Sequence, residues 1–236
     1  MIIIQSRGDV LEDQKVSVLQ VAIAFMSMSD WPEDPPDLVV VHGLSEEMYA
    51  SSDIFWHVKR LVGDGWWFNL AVVGGSEEMA KKIGWIGHEA LIQRLVDVGI
   101  YKDEIMVTDE IVHSKSEAVA ILKMARGLGF KSVGSISVAY HGGRMLPYMV
   151  AAMKEAGYWI DYRMLPPPTT DWFAEILGSQ GLKTTTCFQS AIDDTLKIEE
   201  HINMGFAAPF EEVIHYLRNR QEIVRTQVWD FKKGRD

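Results

Sequence analysis

The sequence has little cysteine, a shortage of basic charge and no long apolar run. Cys187 is its single cysteine, which excludes an internal disulfide framework and a zinc site made of several cysteines. With 23 basic and 33 acidic side chains the net charge is −10, which argues against a nucleic-acid partner. The longest apolar stretch near the start of the sequence, Val16–Met28, is interrupted by polar residues and falls short of the roughly 20 residues of a membrane span. We therefore expect no membrane association and a cytoplasmic location.

What the sequence does contain is a regular alternation of apolar strand and helix patterns. Hydrophobic residues make up 47% and charged residues 24%, which is typical of a globular chain. Strands are predicted at 38–41, 68–73, 104–108, 132–140 and 158–164, and helices between them at 54–62, 89–98, 116–128 and 145–156. This order predicts an α/β fold: a Rossmann-like, open, mostly parallel sheet of about five strands with helices on both faces.

The two ends of the chain differ from this alternating core. We expect a single domain over 1–236, with its core at 37–165 and an amphipathic N-terminal helix at 10–28. Pro166–Pro168 begins a change of pattern, and the C-terminal extension, 169–236, is predicted to be helical around 170–178, 189–204 and 209–224. We expect this extension either to cover the sheet or to pair two subunits in a homodimer.

Polar residues follow four of the predicted strands. Ligands of open α/β sheets bind outside the carboxyl ends of the strands, so these residues are expected to share one edge. The residues predicted to bind a small-molecule ligand there are His42, Gly43, Gly74, Gly75, Ser76, His113, Ser114, Gly142, Gly143 and Arg144.

The two glycine pairs have different alternatives. Gly74 and Gly75, followed by Ser76, could expose backbone N–H groups as an anion cradle, or form a tight turn without a ligand. The segment matches neither GxGxxG nor a Walker loop, so it predicts no dinucleotide or ATP site. His141-Gly142-Gly143-Arg144 is the stronger signal, because Arg144 in a first helical turn suits a phosphate or carboxylate. The alternative there is a solvated arginine beside a core histidine.

Three residues are candidates for proton transfer. His141 suits acid–base chemistry near neutral pH, and Glu77 or Glu117 could be its partner. Glu117 could instead serve the dipole of its helix, and His42 could be a hydrogen-bonded structural residue. The scattered carboxylates and histidines form no metal signature.

A pattern of motifs runs through residues 37–165: Asp37–Val41 with Gly43, Val72–Gly75, Glu117 and, most specifically, Val138–Arg144. In this pattern the region resembles the YdcF/SanA/ElyC-like family, known as domain of unknown function 218, whose closing motif is His-x-x-Arg. Two departures are Ser51–Asp53, where many members have an arginine, and 112–118, which keeps only the glutamate. The resemblance implies a Rossmann-like sheet, a polar pocket at the strand ends and a nucleotide-like ligand such as S-adenosylmethionine.

Three functions are compatible with these observations. The leading hypothesis is a protein that binds a small phosphate- or carboxylate-bearing molecule. The second is a hydrolase or transferase acting on a phosphoester or nucleotide-sugar, with His141 as the acid–base. The third is a structural or regulatory protein that acts through its C-terminal extension.

Overall fold

The computed structural model describes residues 31–50, 52–66, 68–75, 85–168, 171–177 and 184–230. The predicted helix at 10–28, together with Ser76 and Glu77, lies outside the described residues. The central sheet consists of β1 (Leu38–Val41), β2 (Asn69–Gly74), β3 (Ile105–Glu110), β4 (Ser132–Ile136) and β5 (Asp161–Met164). The helices are α1 (Glu46–Ala50), α2 (Ile54–Gly63), α3 (His88–Asp97), α4 (Ser114–Leu128), α5 (Gly142–Ala156), α6 (Cys187–Asn203) and α7 (Phe210–Thr226).

The five strands form one parallel sheet in the order β3-β2-β1-β4-β5. β1 is the central strand, paired in parallel with β2 from Leu38 opposite Asn69 and with β4 from Leu38 opposite Val133. All four β1 residues have an exposed fraction of 0%, so both faces of the sheet are covered. The predicted α/β fold with a Rossmann-like sheet is confirmed.

The order of the strands reverses between β1 and β4. The chain runs outward from β1 to β2 and β3, and then returns to place β4 on the other side of β1. In such sheets the helices that follow the two adjacent strands lie on opposite sides, which opens a crevice at the carboxyl ends. Here that crevice lies after Val41 of β1 and Ile136 of β4.

The sequence predicted only helices in the C-terminal extension, but the structure also contains two short strands there. The prediction of a helix around 170–178 is wrong, because β6 (Glu175–Leu177) pairs antiparallel with β7 (Thr184–Thr186). A run of three β-branched threonines favours a strand, and its pairing partner is fixed by tertiary contacts that local periodicity does not contain. The two helices predicted at 189–204 and 209–224 are present as α6 and α7.

The predicted boundaries before α5 also need correction. The strand expected to reach residue 140 ends at Ile136, and a short 3-10 turn, Ala139–His141, leads into α5 at Gly142 rather than at Met145. His141 therefore immediately precedes the helix, and Arg144 lies in its first turn. Among the described residues, no helix combines the length and the apolar character that crossing a membrane requires.

Candidate functional site

Two buried histidines lie on either side of the point where the strand order reverses. His42 directly follows β1, and its backbone N–H donates to the carbonyl of Ile136 at the end of β4. His141 ends the turn after β4. Their exposed fractions are 0% and 7%. The topology therefore brings together two side chains that are about a hundred residues apart in sequence.

His42 is paired with Glu117 of α4. The His42 Nδ1 and Glu117 Oε1 atoms are 3.0 Å apart, and the N–H of Gly43 donates to the same oxygen at 3.2 Å. Burial raises the pKa of Glu117, but His42, His141 and the Gly43 N–H together outweigh it and hold that pKa below its ordinary value. Glu117 is thus a buried carboxylate that stays ionised at neutral pH.

His141 is paired with Asp194, which comes from α6. His141 Nδ1 lies 3.2 Å from Asp194 Oδ2, and the carboxylate is buried. Burial raises the pKa of Asp194, whereas His141, Arg144 and Lys197 lower it, with the net result below the ordinary value. A carboxylate at Nδ1 fixes the orientation of an imidazole, whose second nitrogen, Nε2, can then exchange a proton with a ligand.

Arg144 connects three helices at this place. It projects from the first turn of α5 and donates through Nη1 to Asp194 at 3.3 Å and through Nη2 to Ser114 Oγ at 2.7 Å. The Arg144 side chain has an exposed fraction of 24%. A guanidinium has five N–H donors, so these two contacts fix its plane and leave donors for a ligand.

These groups line a cleft of about 220 Å³, which we call the switch-point cleft. Its walls consist of both polar and apolar side chains. Its lining includes Gly43, Ser45, Met48, Trp85, Ile111, His113, Ser114, Glu117, Tyr140, His141, Arg144, Ser190 and Asp194. The predicted residues that line it are Gly43, His113, Ser114, Glu117, His141 and Arg144, and His42 adjoins it through its pair with Glu117.

The Gly74-Gly75 pair is used for packing. The Gly74 N–H donates to Thr108 Oγ1 at 2.9 Å, and a Cβ at Gly74 would collide with the Thr108 carbonyl and lie 2.7 Å from that of Asp109. A Cβ at Gly75 would collide with the ring of Trp85. Neither glycine lines the switch-point cleft. Close packing against β3 and Trp85 explains why a side chain would not fit at either position.

The remaining predicted ligand residues have defined structural contacts; His113 lines the switch-point cleft, whereas Gly142 and Gly143 do not. His113 is exposed and caps α4, since its Nδ1 accepts from the Ser116 N–H at 3.0 Å. Gly142 and Gly143 are the first two residues of α5, whose N-terminus carries no side-chain cap. A Cβ at Gly142 would lie 3.3 Å from Met164, so this glycine also allows α5 to start close to β5.

Two cleft residues escaped the sequence analysis. Ser190 and Asp194 are four residues apart and lie on the buried face of α6, which includes Ala191 and Ile198. An aspartate on the helix face that carries Cys187, Ala191 and Ile198 is the signal that could have identified Asp194 as a buried, paired carboxylate. Trp85 and Tyr140 contribute aromatic walls.

No group of three or more metal-ligating side chains is found in the part of the chain that the structure describes. No family model, no curated protein and no solved structure matches the chain. The arrangement defines the class of site chemically: one fixed guanidinium, two buried carboxylates and two imidazoles at the crevice of a parallel sheet.

Proposed function

We propose that the chain binds a small molecule through a phosphate or carboxylate group in the switch-point cleft. The observation that carries this proposal is Arg144, which Asp194 and Ser114 hold in the cleft at the start of α5. Because Arg144 lies in the first turn of α5, the positive end of the helix dipole adds to the guanidinium charge in favouring an anion. His141 offers a further hydrogen bond from the cleft wall.

The size of the cleft supports a small bound group. Sites for small molecules commonly measure about 300–1,000 Å³, and the switch-point cleft has about 220 Å³. It suits the anionic end of a ligand better than a whole nucleotide. The resemblance to the YdcF/SanA/ElyC-like family belongs to the same proposal, and it makes S-adenosylmethionine and nucleotides the ligands to compare with simple phosphates.

Calorimetric titration tests the proposal with inorganic phosphate, acetate, nucleotides and S-adenosylmethionine. In Arg144→Gln we expect the affinity of the anion that binds to fall by about tenfold or more, because a charge-assisted, bidentate contact is lost. Arg218→Gln is the matched control, since Arg218 is an exposed arginine of α7. Binding that is equal in the native chain and in Arg144→Gln, or absent for every anion, contradicts the proposal.

A second candidate function is a hydrolase or transferase that acts on a phosphoester or nucleotide-sugar. The 3.2 Å contact of His141 Nδ1 with Asp194 favours it, because a carboxylate-oriented imidazole is a common general acid–base. Glu117 is buried and paired with His42. In such an enzyme it would hold His42 in place and would not transfer the proton.

Turnover of p-nitrophenyl phosphate distinguishes catalysis from binding alone. If the chain is an enzyme, His141→Gln lowers turnover by about 10²–10⁴-fold, and Asp194→Asn lowers it in the same direction. Arg218→Gln retains the native rate. A native chain that binds phosphate but shows no turnover, with or without divalent cations, rejects this candidate and leaves the binding function standing.

A further inference from the structure

A second cavity of about 440 Å³ adjoins the switch-point cleft. The walls that matter to its chemistry are Ser52, Asp53, Tyr140, Asp171, Ile176 and Cys187. Among the described residues, Tyr140 is the one that lines both spaces. Tyr140 therefore stands at the boundary that a ligand held by Arg144 has to pass to reach the second cavity.

Tyr140, which lines both spaces, has a buried hydroxyl with no hydrogen-bond partner in the described part of the chain. Tyr140 has an exposed fraction of 4%, and no described residue hydrogen-bonds its hydroxyl. Burial raises the pKa of Tyr140, and the neighbouring Cys187 and Asp194 raise it further, so the hydroxyl stays protonated. Cys187 lines the second cavity and Asp194 the cleft. Because buried hydroxyl groups are normally bonded, this one points to an acceptor atom supplied by a ligand.

The second cavity has an acidic lining. Asp53 and Asp171 line the second cavity, whose described lining contains no lysine, arginine or histidine. Asp171 accepts the Phe173 N–H at 2.9 Å, and Asp53 lies 4.0 Å from Arg60 at its outer side. Both side chains remain exposed enough to meet a ligand. A cation or a hydroxyl group fits such walls, whereas a second anion does not.

We propose that the ligand is dipolar: its phosphate or carboxylate lies at Arg144, and a primary ammonium lies at Asp53 and Asp171 in the second cavity. Tyr140 donates its hydroxyl to the atoms that join the two ends. This inference rests on the proposed function, because it places the anionic end in the switch-point cleft. The volumes of the cleft and the second cavity together fall within the range of ordinary small-molecule sites.

Aminoalkyl phosphates of increasing chain length test this inference with the full chain. Each is titrated by calorimetry beside the alkyl phosphate of equal length that lacks the amine. We expect the amine to increase affinity by about fivefold or more at the length that reaches the second cavity. We expect Asp171→Asn to remove this gain, both alone and combined with Asp53→Asn. Both variants should bind the alkyl phosphate with unchanged affinity. Asp103→Asn, an exposed aspartate elsewhere, preserves the gain.

The outcomes separate the two proposals. If alkyl phosphates bind through Arg144 but the amine adds nothing at any chain length, the dipolar ligand is rejected and the proposed function stands. If an amine gain persists in Asp171→Asn/Asp53→Asn, the second cavity is not its site and the inference is rejected. If neither series binds, both the proposed function and this inference fail.

Discussion

His42 and His141 follow adjacent strands, yet their surroundings give them different parts in the site. His42 is wholly buried, and its Nε2 has no partner among the described residues, so it acts on the cleft only through Glu117. His141 lines the switch-point cleft and is held at Nδ1 by Asp194. His141 is therefore the histidine that a ligand in the cleft would meet, whereas His42 is paired with a buried carboxylate.

Gly74 is the residue whose replacement most directly tests the packing beside the site. In Gly74→Ala the added Cβ meets the backbone carbonyls of Thr108 and Asp109, which cannot rotate away. We expect the free energy of unfolding to fall by about 1–3 kcal/mol. Urea denaturation measures this, with Gly127→Ala as the control, because a Cβ at Gly127 in α4 meets nothing within 4 Å. A Gly74→Ala chain as stable as Gly127→Ala would show that β2 and β3 are not packed this closely.

His57 of α2 gives the protein a pH-dependent stability. Burial, assisted by the charge of Arg60, lowers the pKa of His57 from 6.5 to about 4. Between these values the unfolded chain binds a proton that the folded chain excludes, so the free energy of unfolding falls as the pH falls. We expect this contribution to be about 2 kcal/mol between pH 7 and pH 5.

Urea midpoints of the native chain and of His57→Gln at pH 7 and pH 5 measure this contribution. The variant should lose less stability over the same interval, because glutamine does not titrate. An equal loss in both proteins would mean that His57 is protonated as easily in the folded as in the unfolded chain.

At the scale of elements, the C-terminal extension is part of the core. The Tyr216 hydroxyl of α7 donates to the Ile160 carbonyl at 2.7 Å and accepts from the Tyr162 N–H at 2.9 Å, next to the edge strand β5. Arg220 of the same helix reaches Asp161 at 2.9 Å. α6 in turn supplies Asp194 to the cleft. The extension therefore covers the sheet, which is one of its two predicted roles, and the homodimer stays a prediction.

Tyr216→Phe isolates the contribution of α7 to β5. The substitution keeps the ring but leaves the Ile160 carbonyl and the Tyr162 N–H without their bonds to the hydroxyl. We expect a loss of about 1–3 kcal/mol in the free energy of unfolding. Tyr101→Phe, at a tyrosine that is 75% exposed, should change stability by less than about 0.5 kcal/mol. Equal stability of the two variants would remove α7 from the account of the core.

At the scale of the whole molecule, the sequence predicts the features that depend on local periodicity. The five strands of the sheet and the helices that join them follow from apolar patterns, because a parallel sheet buries its strands on both faces. His42, Glu117, His141 and Arg144 could be predicted to lie together, since each follows a strand at the same edge. These four residues meet within hydrogen-bonded pairs or line the same cleft.

What could not be predicted depends on contacts between distant segments. Asp194 meets His141 only because α6 folds back against the carboxyl end of the sheet, and no local pattern specifies that docking. The Gly74-Gly75 pair reads the same in sequence whether it faces a ligand or a tryptophan ring. Trp85, which decides between the two, belongs to a separate segment.

The net charge of −10 does not oppose an anion site. Local donors determine whether a small anion binds, while net charge acts mainly on solubility and on the approach of charged partners. Arg144 and the start of α5 provide these donors within an acidic molecule. The proposed anion site therefore depends on the Arg144 guanidinium in the cleft and not on the composition of the chain.

A crystal structure of the chain with bound phosphate tests this central claim most directly. The account predicts tetrahedral density in the switch-point cleft, within about 3 Å of the Arg144 guanidinium and of His141 Nε2. The same density should be absent from crystals of Arg144→Gln grown with phosphate. An empty cleft in the native protein at saturating phosphate, or phosphate bound only at a place remote from Arg144, would contradict it.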